Sequence, residues 1–108
     1  LFLCASRLNL PTLPTMLNIT FDEFKKQSLA TGAHEVLERK WAADTLLQTH
    51  THSFSAKALV AEGELWLTTE GNTKHLTVGG TFELSSGTPH SERYGPEGAT
   101  YWVARTND

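Results

Sequence analysis

Cysteine is nearly absent from this sequence of 108 residues, which contains only Cys4. A single cysteine cannot form an intrachain disulfide, and it also excludes a zinc site built from several cysteines. Basic residues are in short supply as well: nine Lys and Arg stand against twelve Asp and Glu, for a formal net charge of −3. No basic run exceeds two residues, and no apolar run approaches the roughly 18 residues of a membrane span. We therefore expect no nucleic-acid partner and no membrane attachment.

Length and composition predict one globular domain. With 39% hydrophobic and 19% charged residues, the chain is too apolar for a disordered protein and too short for two ordinary domains. Residues 1–15 hold two prolines, no acidic residue and no clear periodicity, and we expect them to form a loose N-terminal extension. The domain would then cover residues 16–108 of a cytoplasmic protein.

One helix start is well marked. Thr20 followed by Glu23 matches a capping box, in which each side chain hydrogen-bonds to the backbone of the other residue. Phe21 and Phe24 lie on one face of the turn that follows, and Gly32 is typical of a helix end. The pattern predicts a short helix over residues 21–29.

The rest of the chain reads as β structure. Short runs rich in β-branched and aromatic residues are bounded by Gly, Pro, Asn, Asp or Ser. These runs predict eight strands, at residues 34–41, 46–52, 57–62, 64–69, 74–78, 81–84, 90–94 and 100–105. Eight short strands with no second helix predict an all-β barrel or a two-sheet jelly roll.

Three histidines are candidates for metal ligands. Side chains alternate along a strand, so His50 and His52 would point to the same side. Alone, this pair is a weak signal and is more often typical of two half-exposed histidines on a polar face. His90 opens a later strand after a glycine turn, and a barrel can bring it across to the pair. Three imidazoles on one face would leave open positions on a metal ion for water or substrate.

At these residues the sequence resembles the cupins, whose first motif reads G(x)5HxH(x)3–4E(x)6G. His50, His52 and Gly63 match its spacing, and Ala56 stands at the place of the glutamate. Under the longer spacing that place would hold Lys57, and Asp44 stands where the first glycine is expected.

The second cupin motif reads G(x)5PxG(x)2H(x)3N. Gly79, Gly87 and His90 match it, whereas Ser85 replaces the proline and Tyr94 the asparagine. The resemblance covers about residues 33–105 and implies a cupin-type double-stranded β-helix, a jelly-roll barrel preceded by the short helix. It also implies one divalent transition metal (Fe, Mn, Zn, Ni or Cu) held by the three histidines, in a variant that lacks the glutamate ligand.

Several further residues are candidates for the cavity. Glu92 and Tyr94 share the parity of His90. They face either the cavity, as catalytic or substrate-contacting groups, or the rim outside it. Gln48 shares the parity of His50 and has the same two alternatives. Small apolar residues at alternate positions should line the barrel: Ala56, Ala58 and Val60. His34 and His75 share no motif with the set and are predicted to lie on the surface. The three tryptophans, Trp41, Trp66 and Trp102, are expected in the core or at a dimer face.

Two classes of function fit these observations. Three neutral imidazoles would leave a divalent ion with a charge near +2, which favours an anionic ligand. The first hypothesis is a small metal-dependent enzyme, of dioxygenase or lyase type as cupin precedents imply, acting on a small anionic organic molecule. The alternative is a non-catalytic binding or sensor module, and a metal-free structural relic is a third possibility. We also expect a homodimer, because pairing would cover exposed strand edges.

Overall fold

The structure is a computed structural model that describes residues 17–107. The predicted N-terminal extension therefore lies outside the described residues. Helix α1 spans Phe21–Ala30, one residue longer than predicted. Its capping box is present: the Glu23 backbone N–H donates to Thr20 Oγ1 at 3.1 Å, and the Thr20 N–H donates to Glu23 Oε1 at 2.8 Å. Within the described range, no helix is both long and apolar enough to cross a membrane.

Six strands follow the helix in the described part of the chain, and all of their pairings are antiparallel. They are β1 (Glu35–Trp41), β2 (Leu46–His50), β3 (Phe54–Thr69), β4 (Asn72–Leu76), β5 (Thr81–Leu84) and β6 (His90–Asn107). The all-β class with one short helix before it is confirmed.

Two long strands, β3 and β6, pair with each other along almost their whole length. The first half of β6 also pairs with β2, and its second half pairs with β1. In the same way, β3 pairs with β5 through its first half and with β4 through its second half. The four short strands thus extend the sheet on both sides of one central ladder.

The prediction of eight separate strands was wrong in two places. The runs 57–62 and 64–69 belong to β3, and the runs 90–94 and 100–105 belong to β6. The glycines and the proline between these runs are typical of strand ends. In the structure, however, the β3–β6 ladder continues past them through register shifts. Gly63 pairs with Ala99 and Leu65 with Tyr94, so residues 95–98 of β6 bulge out opposite the single residue Glu64 of β3.

Two glycines allow the strands to approach closely at this bulge. Gly63 has φ of 71° and Gly98 has φ of 73°, a region that side-chain-bearing residues rarely adopt. A Cβ atom on Gly63 would overlap the backbone of Gly98, and one on Gly98 would overlap the backbone of Trp41 on β1. Only glycine therefore fits where β1, β3 and β6 meet.

The barrel interior is formed by alternate residues of the strands. Ala56, Ala58 and Val60 of β3 are buried, as predicted, with exposures of 7%, 3% and 0%. On the outside of the barrel, α1 covers Trp102 of β6, whose ring lies 5.7 Å from Phe21 and 5.9 Å from Phe24 between centroids. This aromatic contact holds the helix against the outer face of the sheet.

Gly98→Ala should lower the free energy of unfolding by about 2–5 kcal/mol, because it adds both left-handed strain and an overlap with the β1 backbone. Gly71 is a matched control: its φ is 82°, but a Cβ there meets nothing within 4 Å. Gly71→Ala should therefore cost only about 1 kcal/mol. Urea unfolding of both variants measures the difference, and equal losses would contradict the close-packing argument.

Candidate metal centre

Three histidines converge at one end of the barrel. His50 ends β2 and is the ladder partner of His90, which opens β6. His52 lies just beyond β2 and completes the set, with ring centroids 4.9 Å from His50 and 5.1 Å from His90. One nitrogen from each ring lies within 4.8 Å of the others. The histidines predicted from the sequence are therefore brought together.

Backbone carbonyls orient two of the three rings. His50 donates from Nδ1 to the carbonyl of Gln48 at 2.6 Å, and His90 donates from Nδ1 to the carbonyl of Thr88 at 2.9 Å. A proton held at Nδ1 leaves the Nε2 lone pair available to a metal. His90 Nε2 is buried and has no hydrogen-bond partner among the described residues. A divalent cation would satisfy this buried nitrogen, so the residues present fit a metal site.

The surroundings of His52 favour its neutral form. Its pKa is lowered from the ordinary value, first because burial removes water from the ring and then because positive charge at His90, His50, Arg105 and Arg39 would repel an added proton. A neutral imidazole is the form that binds a metal ion.

A buried carboxylate lies beside the histidines. Glu92 is 4% exposed, and its Oε2 lies 3.5 Å from His90 Nε2 and 3.8 Å from His50 Nε2. Tyr94 is fully buried, stacks on Trp41 at 5.5 Å, and donates a very short hydrogen bond to Glu92 Oε1. Burial, followed by the neighbouring carboxylate, raises the pKa of Tyr94 well above its ordinary value. The sequence left open whether these two side chains face the barrel interior or its rim. Both lie inside the barrel.

A small cavity of about 110 Å³ adjoins the cluster. Two charged residues of its wall, Arg39 and Arg105, were not predicted from the sequence. Arg39 lies between Leu37 and Trp41 at alternate positions of β1, and both neighbours pack against the core. That parity was the available signal for a position on the cavity wall. The wall also includes Leu47, Phe54, Phe82, Tyr101 and Val103.

The other predicted positions lie away from the cluster. Gln48 is exposed and contributes only its backbone carbonyl. His34 and His75 are exposed, as predicted. His75 stacks on Trp66 at 4.4 Å and lies 2.6 Å from Glu64 Oε1 on the outer face. A larger cleft, of about 280 Å³, lies beside α1 but contains no histidine.

Comparison with known proteins identifies the fold. No family model matches the sequence, and no curated protein does. An RmlC-like cupin from Shewanella frigidimarina NCIMB 400 superposes with a TM-score of 0.58 and 26% identity, over 69% of this chain and 68% of the other. The chain is a cupin by fold.

Two further structures share this cupin fold. A protein of unknown function from Rhizobium leguminosarum bv. viciae 3841 has a TM-score of 0.64 and 23% identity, over 68% of this chain and 69% of its own. The DMSP lyase DddQ from Ruegeria pomeroyi DSS-3 has a TM-score of 0.59 and 23% identity, over 68% of this chain but only 36% of its own. The present chain thus spans little more than a third of that lyase.

The cupin motifs can now be read on the structure. Ala56, at the place of the motif glutamate, is buried in the cavity wall, so no carboxylate comes from β3 at that position. Glu92 of β6 brings a carboxylate to the cluster from another side.

Tyr94→Phe should lower the free energy of unfolding by about 1–3 kcal/mol, because the buried Glu92 carboxylate loses its hydroxyl donor. A double-mutant cycle with Glu92→Gln, followed by urea unfolding, measures the coupling between the two side chains. A Tyr94→Phe variant as stable as the wild type would show that the hydrogen bond contributes nothing to folding.

Proposed function

We propose that this cupin binds one divalent transition metal through His50, His52 and His90, and that it is a small metal-dependent enzyme acting on a small anionic organic molecule. One observation carries the proposal: the buried, unpartnered Nε2 of His90 meets the other two imidazoles at the wall of a cavity. The candidate metals stay Fe, Mn, Zn, Ni and Cu, because all of them accept imidazole ligands.

A bound metal ion would supply Lewis-acid activation and a binding position for an anionic donor atom. The protein supplies the rest. Glu92 Oε2 faces the histidines at 3.5 Å and 3.8 Å, within reach of a molecule in the cavity, and can take a proton from it or return one. Tyr94 holds Oε1 of the same carboxylate and so fixes the direction of Oε2.

Between the two reaction types, this arrangement gives more support to a lyase than to a dioxygenase. Elimination requires a base beside the substrate, and the buried carboxylate of Glu92 is such a base. The shared fold of the DMSP lyase from Ruegeria pomeroyi adds support. The homodimer and the cytoplasmic location stay predictions from the sequence.

Replacing His90 by alanine should abolish stoichiometric metal binding and leave the β-rich circular dichroism intact, because the variant removes the most buried ligand. Elemental analysis of the purified protein measures this. His75→Ala is the matched control, since His75 lies on the outer face and its loss should leave the metal content unchanged. Full metal content in the His90 variant would mean that the ligands have been wrongly assigned.

Glu92→Gln should keep the metal and lower turnover by roughly 10²–10⁴-fold, the usual contribution of a general base. The assay screens small hydroxy acids, thiols and diketones for elimination products and for oxygen uptake. Unchanged turnover in this variant would rule out Glu92 as the base. Tight binding of one of these molecules without turnover would instead support the non-catalytic binding module.

A further inference from the structure

Two arginines line the same cavity as the histidines, and the proposed chemistry uses neither of them. Arg39 belongs to β1 and Arg105 to β6, and these strands pair side by side. Both side chains lie on the inner face: Arg39 is the ladder partner of the buried Tyr101, and Arg105 is the ladder partner of the buried Ala56. Both arginines are partly buried, the Arg105 side chain being 24% exposed, and partly buried positive charge is stabilised by a neighbouring anion.

Arg105 is only partly satisfied by the protein. Its Nη1 donates to Glu35 Oε1 at 3.2 Å, while its Nε is buried and has no partner among the described residues. The Glu35 side chain is 54% exposed, so water screens this ion pair and it contributes little to folding. The ion pair provides an acceptor for Nη1 of Arg105 but leaves its buried Nε–H without one.

Arg39 also has few contacts with other described side chains. Its guanidinium carbon lies 5.0 Å from the centroid of Trp41, and it forms no salt bridge with another described residue. Arg105 has two ladder partners: Glu35 on β1, which supplies its exposed carboxylate partner, and Ala56 on β3, which is buried and supplies none. The place of the cupin glutamate therefore holds a methyl group beside an arginine.

A single aromatic ring connects this positive region to the histidines. Phe54 stacks on His52 with centroids 4.8 Å apart, and the Arg105 guanidinium carbon lies 4.4 Å from the Phe54 centroid. A molecule lying along Phe54 would thus reach Arg105 at one end and the histidines at the other. A cavity of about 110 Å³ restricts such a molecule to a few non-hydrogen atoms.

We propose that Arg39 and Arg105 form a carboxylate-binding subsite, so that the ligand of this cupin is a small organic acid held at its carboxylate end by the arginines. Its other end then faces the three histidines and Glu92. The second part of this statement rests on the proposed function, whereas the arginine subsite stands on its own geometry. Arginine suits the task because its planar N–H groups match the two oxygens of a carboxylate.

The first experiment uses succinate as the probe and succinamide as its neutral counterpart. Calorimetry on the full-length protein should detect binding of succinate and much weaker binding of succinamide. Arg39→Gln and Arg105→Gln should each weaken succinate binding about ten- to a hundred-fold, because a charge-assisted hydrogen bond is lost. Arg93→Gln is the matched control: Arg93 stacks on Trp66 outside the cavity at 4.1 Å, and its variant should bind succinate like the wild type.

Three further variants keep the test decisive if an arginine variant fails to fold. Glu35→Gln frees Arg105 from its surface partner and should strengthen succinate binding, whereas a purely structural ion pair predicts no change. Ala56→Glu places a carboxylate beside Arg105 and should weaken binding more than Ala56→Gln, which has almost the same size and no charge. Equal effects of the two Ala56 variants would overturn the charge argument.

The His90→Ala variant separates this inference from the proposed function. It should lose the metal and still bind succinate more tightly than succinamide, because the arginines remain. Equal affinities for the two probes, or arginine variants that bind like Arg93→Gln, would overturn the subsite and leave the metal measurement untouched. Metal retained in His90→Ala would overturn the ligand assignment and leave the arginine subsite standing.

Discussion

The close crossing of three backbones at Gly63 and Gly98 is the constraint on which the rest of the structure depends. It lets β3 and β6 bend and stay paired, so that one ladder runs the length of the barrel. Each half of β6 can then take its own second partner, β2 at one end and β1 at the other. The histidines gather beside β2, and the arginines lie where β1 and the second half of β6 adjoin.

The polar groups inside the barrel are concentrated on one strand. His90, Glu92 and Tyr94 occupy successive inward positions of β6, and all three are buried. Burying a polar group is costly unless it finds a partner. The chain provides partners for the Nδ1 proton of His90 and for the Tyr94 hydroxyl. Among residues 17–107, His90 Nε2 and Arg105 Nε have no hydrogen-bond partner. These two atoms lie in residues that line the same cavity.

Much of this arrangement follows from local signals in the sequence. The helix start was predictable because a capping box involves residues only three apart. The spacing of His50 and His52 identified both histidines as candidates, but β2 ends at His50, so strand parity alone does not place His52. The joining of strands across Gly63 and Gly98 was not predictable, since a glycine that ends a strand and a glycine that permits a crossing look alike. The distance from Glu92 to the histidines depends on the register between β2 and β6, which spacing along the chain does not specify. The place of Arg39 in the cavity wall agrees with its parity with Leu37 and Trp41.

Strand β2 has five residues and, in the described part of the chain, a partner on one side only. Its ladder with β6 is also interrupted between Leu47 and His50. His50 lies at the end of this weakly attached strand, and His90 lies on the most extensively paired one. An ion bound by both histidines would connect the end of this short strand to the most extensively paired strand of the sheet. Only the folded chain presents the three nitrogens together. A metal that binds them would therefore raise the free energy of unfolding, and it would do so more at higher metal concentration.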